Sequence, residues 1–175
     1  MSNKEFDFES FKAEAIKGMY AGKPLNGEKG IFAPTCPVVL VPEKAALKPI
    51  RTVALATKLE RTDFKALSWL AKFANSLDAR IIVTHVCEKK LTVDEKLRNL
   101  DIFNRMVARI NYHNISYEDI LGDNVGAALA KFARSEKIDL LAVIRQKRTF
   151  LEGIFHNSTT NEMLDHHKVP LMVFP

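Results

Sequence analysis

From residue 51 onward, short β-branched runs alternate with longer segments whose apolar residues recur at helical spacing. No other feature limits the fold of this chain so strongly. Thr52–Thr57 (TVALAT) reads as a strand, and Thr62–Leu77 then places Phe64, Leu67, Leu70, Ala71, Ala74 and Leu77 on one helical stripe. Arg80–Val86 (RIIVTHV) is strongly β-branched and reads as a buried strand. Asp94–His113 predicts a second helix, with Leu97, Leu100, Phe103, Val107 and Ile110 inward and Asp94 as N-cap. Ile115–Leu121 is a third strand, stopped by Gly122. Val125–Glu136 is a third helix, with Val125, Ala128, Leu129 and Phe132 facing inward. Asp139–Ile144 (DLLAVI) and Val169–Phe174 (VPLMVF) are the fourth and fifth strands, separated by a loop and a short helix at about Ser158–His167.

Strands joined by helices of this length imply right-handed crossovers and a parallel sheet covered on both faces. Ligands on such sheets sit beyond the strand C-termini where the strand order reverses. Here that is near Thr57–Lys58 and Arg145–Arg148.

The first fifty residues are different in kind. They hold five of the seven prolines and four of the seven glycines, with seven lysines against six acids. Residues 51–175 carry nineteen basic and fifteen acidic residues and only Gly122, Gly126 and Gly153. The expected division is an arm over 1–50, comprising a helix, a linker and a spare strand at 38–41, and a domain over 51–175. A length of 175 residues and 19.8 kDa fits one domain with an appendage.

No apolar stretch approaches the ~18–20 residues that span a bilayer. MSNKEFDFES is too acidic and too broken for a secretory signal. Cys36 and Cys87 cannot build a disulfide framework, and no CxxC or Cys/His cluster points to zinc. A reduced, cytoplasmic setting is expected. The net charge of +5 is spread among interleaved acids, which disfavours a nucleic-acid interface.

Over residues 50–175 the chain resembles the universal stress protein family. Arg51–Leu59 (RTVALATKL) resembles the family's opening strand, and Ile81–Val86 (IIVTHV) its second. Ile120–Asp123 (ILGD) is similar to the turn before the third helix, Ile138–Ile144 (IDLLAVI) to the fourth strand, and Lys168–Phe174 (KVPLMVF) to the closing strand. The resemblance implies a doubly wound, five-stranded parallel sheet in the order 3-2-1-4-5, with two helices on each face. This is the three-layer α/β sandwich of the adenine-nucleotide alpha-hydrolase type.

ATP-binding members carry G-x2-G-x9-G-[S/T] after the fourth strand, where glycines let backbone N–H groups approach phosphates. The resemblance places those glycines on Arg145, Arg148 and Ser158, and the terminal hydroxyl on Thr159. The carboxylate that meets the ribose falls on Lys58, beside Thr57, and the backbone that meets adenine falls on Val86. Gly122 marks the turn before the third helix. Four of these positions depart from the binder's pattern. The expectation is a degenerate site, no bound cofactor and a regulatory or interaction role without catalysis. The alternative is ATP held by charge on Lys58, Arg145, Lys147 and Arg148, with slow hydrolysis.

Cys36–Glu43 (CPVVLVPE) resembles a second copy of the closing strand, as if left from a preceding tandem domain. Phe6–Pro34 resembles the N-terminal stretch of mutator-type transposases without their catalytic acids. It also reads simply as an amphipathic helix through Phe8, Phe11, Ala15 and Met19. Val38–Val41 is expected to cover the fifth-strand edge, within one chain or by exchange, with a homodimer favoured.

Other polar residues have plainer roles. His166–His167 lack a third metal ligand. His85 closes a strand as a satisfied polar group, and Ser158 and Thr159 sit where an N-cap belongs. Cys87, just past the second strand, is inert unless its pKa is depressed. Trp69 and Phe73 pack on a sheet edge. No Ser-His-Asp, Cys-His or paired-carboxylate arrangement emerges.

Overall fold

The β-branched runs and helical stripes fold in the expected alternation. The structure, a computed structural model, describes residues 36–42, 45, 48–144 and 169–175. The helical reading of the arm and the short helix at about Ser158–His167 lie outside the described residues. In chain order the elements are β1 (Val38–Leu40), β2 (Thr52–Ala56), α1 (Asp63–Leu77), β3 (Arg80–Cys87), α2 (Val93–Val107), β4 (Ile115–Leu121), α3 (Val125–Ser135), β5 (Leu140–Ile144) and β6 (Leu171–Phe174).

They form one sheet in the order β1-β6-β5-β2-β3-β4. β2 is central, paired in parallel with β3 and β5, and β4 and β6 extend the parallel ladder on either side. The domain strands thus take the order 3-2-1-4-5. The sheet is mixed, because β1 joins β6 antiparallel, with Val38 opposite Val173, Val39 opposite Met172 and Leu40 opposite Leu171. The spare strand covers the fifth-strand edge from within its own chain.

Alternation along each strand sends its residues to two cores. One face carries Val53, Leu55, Ile81, Val83, Met172 and Phe174 beneath Leu67, Leu70 and Ala74 of α1 and Phe103 and Met106 of α2. The other places Ala54, Ile82, Val143 and Val173 in clusters with Phe132, Ala133 and Leu129 of α3. Trp69 stacks on Phe73 at 5.7 Å and meets Phe174 of β6 edge-on at 5.6 Å, so this pair does pack over the sheet margin.

α2 departs from its expected bounds and, in part, from its expected face. Its N-cap is Thr92, not Asp94: the Thr92 hydroxyl accepts from the Glu95 N–H while the Glu95 carboxylate accepts from the Thr92 N–H. This reciprocal capping satisfies two otherwise unpaired donors and starts the helix at Val93. The helix stops at Val107, before Ile110. Leu97 is 59% and Leu100 43% exposed, whereas Phe103 and Met106 are buried. Of the expected stripe, Phe103, Val107 and Ile110 pack against the core, and only Leu97 and Leu100 do not.

Candidate functional site

Strand order reverses between β2 and β5, so the crevice of interest opens beyond Ala56 and Ile144. β2 leads there into a crowded polar corner. The buried Thr57 hydroxyl donates to the Asp63 carboxylate and accepts the Leu59 N–H at 2.8 Å. Asp63 Oδ2 also accepts the N–H groups of Lys58 at 3.2 Å and Glu60 at 3.1 Å, while Oδ1 takes the Thr62 hydroxyl at 3.3 Å. Asp63 opens α1, where a carboxylate meets the positive end of the helix, and it is only 1% exposed. Leu59 closes the turn with φ of 61°, a left-handed conformation that costs a non-glycine residue energy. Its side chain is buried, and the packing holds it there. The Lys58 side chain points to solvent.

β3 ends against the same corner. The Thr57 N–H donates to the Thr84 carbonyl at 2.9 Å, and His85 Nδ1 lies 3.1 Å from the Thr57 carbonyl. A carbonyl only accepts, so Nδ1–H is the donor in this contact. His85 is indeed a satisfied polar group that ties β3 to β2. Val86 lies opposite Ile120 in the ladder and packs with Leu129 and Val143.

Cys87 belongs to β3, not to the loop beyond it, and pairs with Leu121. Burial pushes its thiol up to about 11, helped by the adjacent Asp119 charge. That is the opposite of an activated cysteine. Asp119 Oδ1 accepts from Tyr117 Oη at 2.5 Å and Asn99 Nδ2 at 2.9 Å, tying α2 to β4. Burial, then the hydrogen bond to Asp119, raises the Tyr117 phenol.

Gly122 follows β4, and its N–H donates to the Cys87 carbonyl at 2.9 Å. A Cβ there would lie 2.6 Å from Ala128 Cβ, so glycine is needed for the close approach of the turn to α3. Asn124 then caps α3 by accepting the Ala127 N–H at 2.9 Å.

The structure therefore gathers Thr57, Lys58 and His85 at one corner and ties Gly122 to Cys87. Arg145, Lys147, Arg148, Ser158, Thr159, His166 and His167 lie outside the described residues. Among the described residues, no group of three or more His, Cys, Asp or Glu side chains converges on a metal position. Sequence reasoning passed over Asp63 and Asp119. The signal for Asp63 was an acid in the first turn of a predicted helix. For Asp119 it was a charge on the inward alternation of a strand.

The family model for the universal stress protein family matches residues 49–175. The chain belongs to that family. Among solved structures, a universal stress protein in complex with cAMP is similar at TM-score 0.56 and 16% identity, covering 73% of this chain and 99% of that one. A universal stress protein from Archaeoglobus fulgidus DSM 4304 gives TM-score 0.52 at 16% identity; the match covers 79% of this chain but only 49% of that one. Another Archaeoglobus fulgidus universal stress protein, in complex with dAMP, gives 0.50 at 11% identity, covering 73% and 100%. At these identities the likeness is one of fold. No curated protein matches the chain. Among the described residues of this universal stress protein, no helix is long and apolar enough to cross a membrane.

Proposed function

We propose that this universal stress protein is a regulatory or interaction module whose nucleotide site has lost its ribose acceptor, and that it works without catalysis. The observation that carries this is the state of the two side chains at the end of β2. Lys58 occupies the place where the family resemblance puts the ribose carboxylate, and it offers only donors. The nearest carboxylate, Asp63, cannot substitute, because it is enclosed and committed to Thr57 and the Lys58 and Glu60 amides. The arginines at 145 and 148, in place of glycines, add side chains where phosphates approach in the family's binders. Free Cys36 and Cys87 fit a reducing, cytoplasmic setting.

A second reading is favoured by the two relatives in complex with cAMP and dAMP. Each of those ligands carries a single phosphate, which Lys58, Arg145, Lys147 and Arg148 can hold by charge. Isothermal titration of the full chain with Mg-ATP, cAMP and dAMP separates the two. The expected result is no saturable micromolar binding. Saturable binding that is lost on Arg145→Ala with Arg148→Ala would establish the charge-based pocket. Saturable binding unchanged by that pair would overturn both.

A further inference from the structure

β6 is four residues long, wholly apolar and buried throughout. Left bare, such a strand is a template for pairing with another chain. Its free side is occupied by β1, in antiparallel register over Val38, Val39 and Leu40. Val39 enters the core beneath α1 and α2, while Val38 is buried and Leu40 packs with Val143 and Leu171 on the opposite face. β1 is thus seated on both faces and not merely hydrogen-bonded.

The edge that β1 presents in turn is a poor template. Pro37 and Pro42 bracket its three residues, and proline has no N–H to donate. The Pro42 carbonyl is already taken by the Ala45 N–H at 2.9 Å. The connection between Leu40 and Thr52 is short, so the strand's effective concentration at its own sheet is on the order of millimolar. At micromolar protein, a strand from another molecule competes at a disadvantage of roughly a thousandfold.

We propose that residues 36–42 are a built-in edge strand that closes the β6 edge in cis, so that a second copy of this chain is shut out of it. The prolines are then features of a terminator, and the need for a covering strand that favoured a homodimer is met within one molecule. The Archaeoglobus fulgidus chain, of which this chain spans 49%, is long enough to hold a second domain. A strand left from such a domain would keep the old interface's register while losing the body behind it. The proposal stands apart from the nucleotide reading and does not depend on it.

Cross-linking tests it directly. In a Cys36→Ser background, Val38→Cys with Val173→Cys places two thiols at directly paired positions. Oxidation of the full chain should give a disulfide within one molecule, seen as single-chain mass on a non-reducing gel together with the loss of two free thiols on titration of the denatured chain. A disulfide between molecules would overturn closure in cis, and no disulfide would overturn the register. Light scattering supplies the second arm. The unmodified chain should have single-copy mass, and Val39→Asp, which unseats β1, should double it or more. A chain already dimeric, or a Val39→Asp mass unchanged with intact circular dichroism, would overturn the proposal. Should Val39→Asp unfold, Pro37→Val with Pro42→Val keeps β1 seated and removes its terminators. That variant should also self-associate, and a single-copy mass for it would overturn the terminator role.

Discussion

Lys48 Nζ lies 2.5 Å from Asp139 Oδ1, so the residue just before β5 is tied to the segment that leads into β2. The other oxygen, Oδ2, accepts the N–H groups of Arg51 at 2.8 Å and Thr52 at 2.9 Å. One buried carboxylate thereby joins the two central strands at the end of the sheet away from the crevice. Burial works to raise its pKa, but the Lys48 bond and the two backbone bonds outweigh burial and hold it below the ordinary carboxylate value.

A depressed folded value means that this stability is fully present above the unfolded value of about 3.9 and is lost as pH falls through the folded value. Asp139→Ala leaves two backbone donors without an acceptor, at a cost of about 2–4 kcal/mol at neutral pH. Urea titrations across the acid range should show a wild-type stability that declines below about pH 4. The variant should show a flatter decline. Parallel curves would remove Asp139 as a source of the acid dependence.

Gly122 faces a steric limit, not a torsional one. Gly122→Ala sets a methyl 2.6 Å from Ala128 Cβ and should cost about 1–3 kcal/mol through overpacking. Ala128→Gly frees that space but costs about 1 kcal/mol of helix propensity. The double variant should therefore be more stable than the sum of the two losses. Additive losses in denaturant melts would mean that the two sites do not touch.

Much of the fold was legible because burial on both faces writes itself into composition. TVALAT, RIIVTHV and DLLAVI became β2, β3 and β5, three neighbouring strands inside the sheet. Pro37 and Pro42 marked the ends of β1 because proline terminates a ladder. On α2 the period found the packing residues Phe103, Val107 and Ile110, but Leu97 and Leu100 share that period and stay exposed, so spacing alone did not separate covered from uncovered turns. The corner at β2 was harder to read. Asp63 acts through backbone amides of its own loop, and such partners leave no mark in residue types. Lys58 was visible only as a departure from a family pattern.

The two thiols should separate cleanly in alkylation. Cys36 is exposed, whereas Cys87 is buried and its thiol is raised to about 11, so almost none of it is thiolate near neutral pH. Mass spectrometry after brief iodoacetamide treatment of the native chain should show one adduct, on Cys36. A second adduct should appear only with denaturant. Equal labelling of both in the native chain would contradict the buried β3 position and the Asp119 contact.

The Thr57–Asp63 corner should behave as one unit in stability measurements. Asp63→Ala strands the Lys58 and Glu60 amides and the Thr57 hydroxyl, each at about 1–3 kcal/mol when enclosed. Partial access to water for the amides brings the expected total to roughly 3 kcal/mol. Thr57→Val removes one donor to the carboxylate and leaves the Leu59 N–H unpaired, which should cost about half as much. Because the two share a bond, the double variant should lose less than the sum by at least about 0.5 kcal/mol. Leu59 adds a check on the same loop. Leu59→Asn keeps tolerance for φ of 61° but gives up a buried apolar side chain, so a net loss is expected. Urea melts of the four variants decide the matter. A strictly additive double variant, or a Leu59→Asn protein as stable as wild type, would show that the corner is loosely held and that Asp63 remains free to meet a ligand.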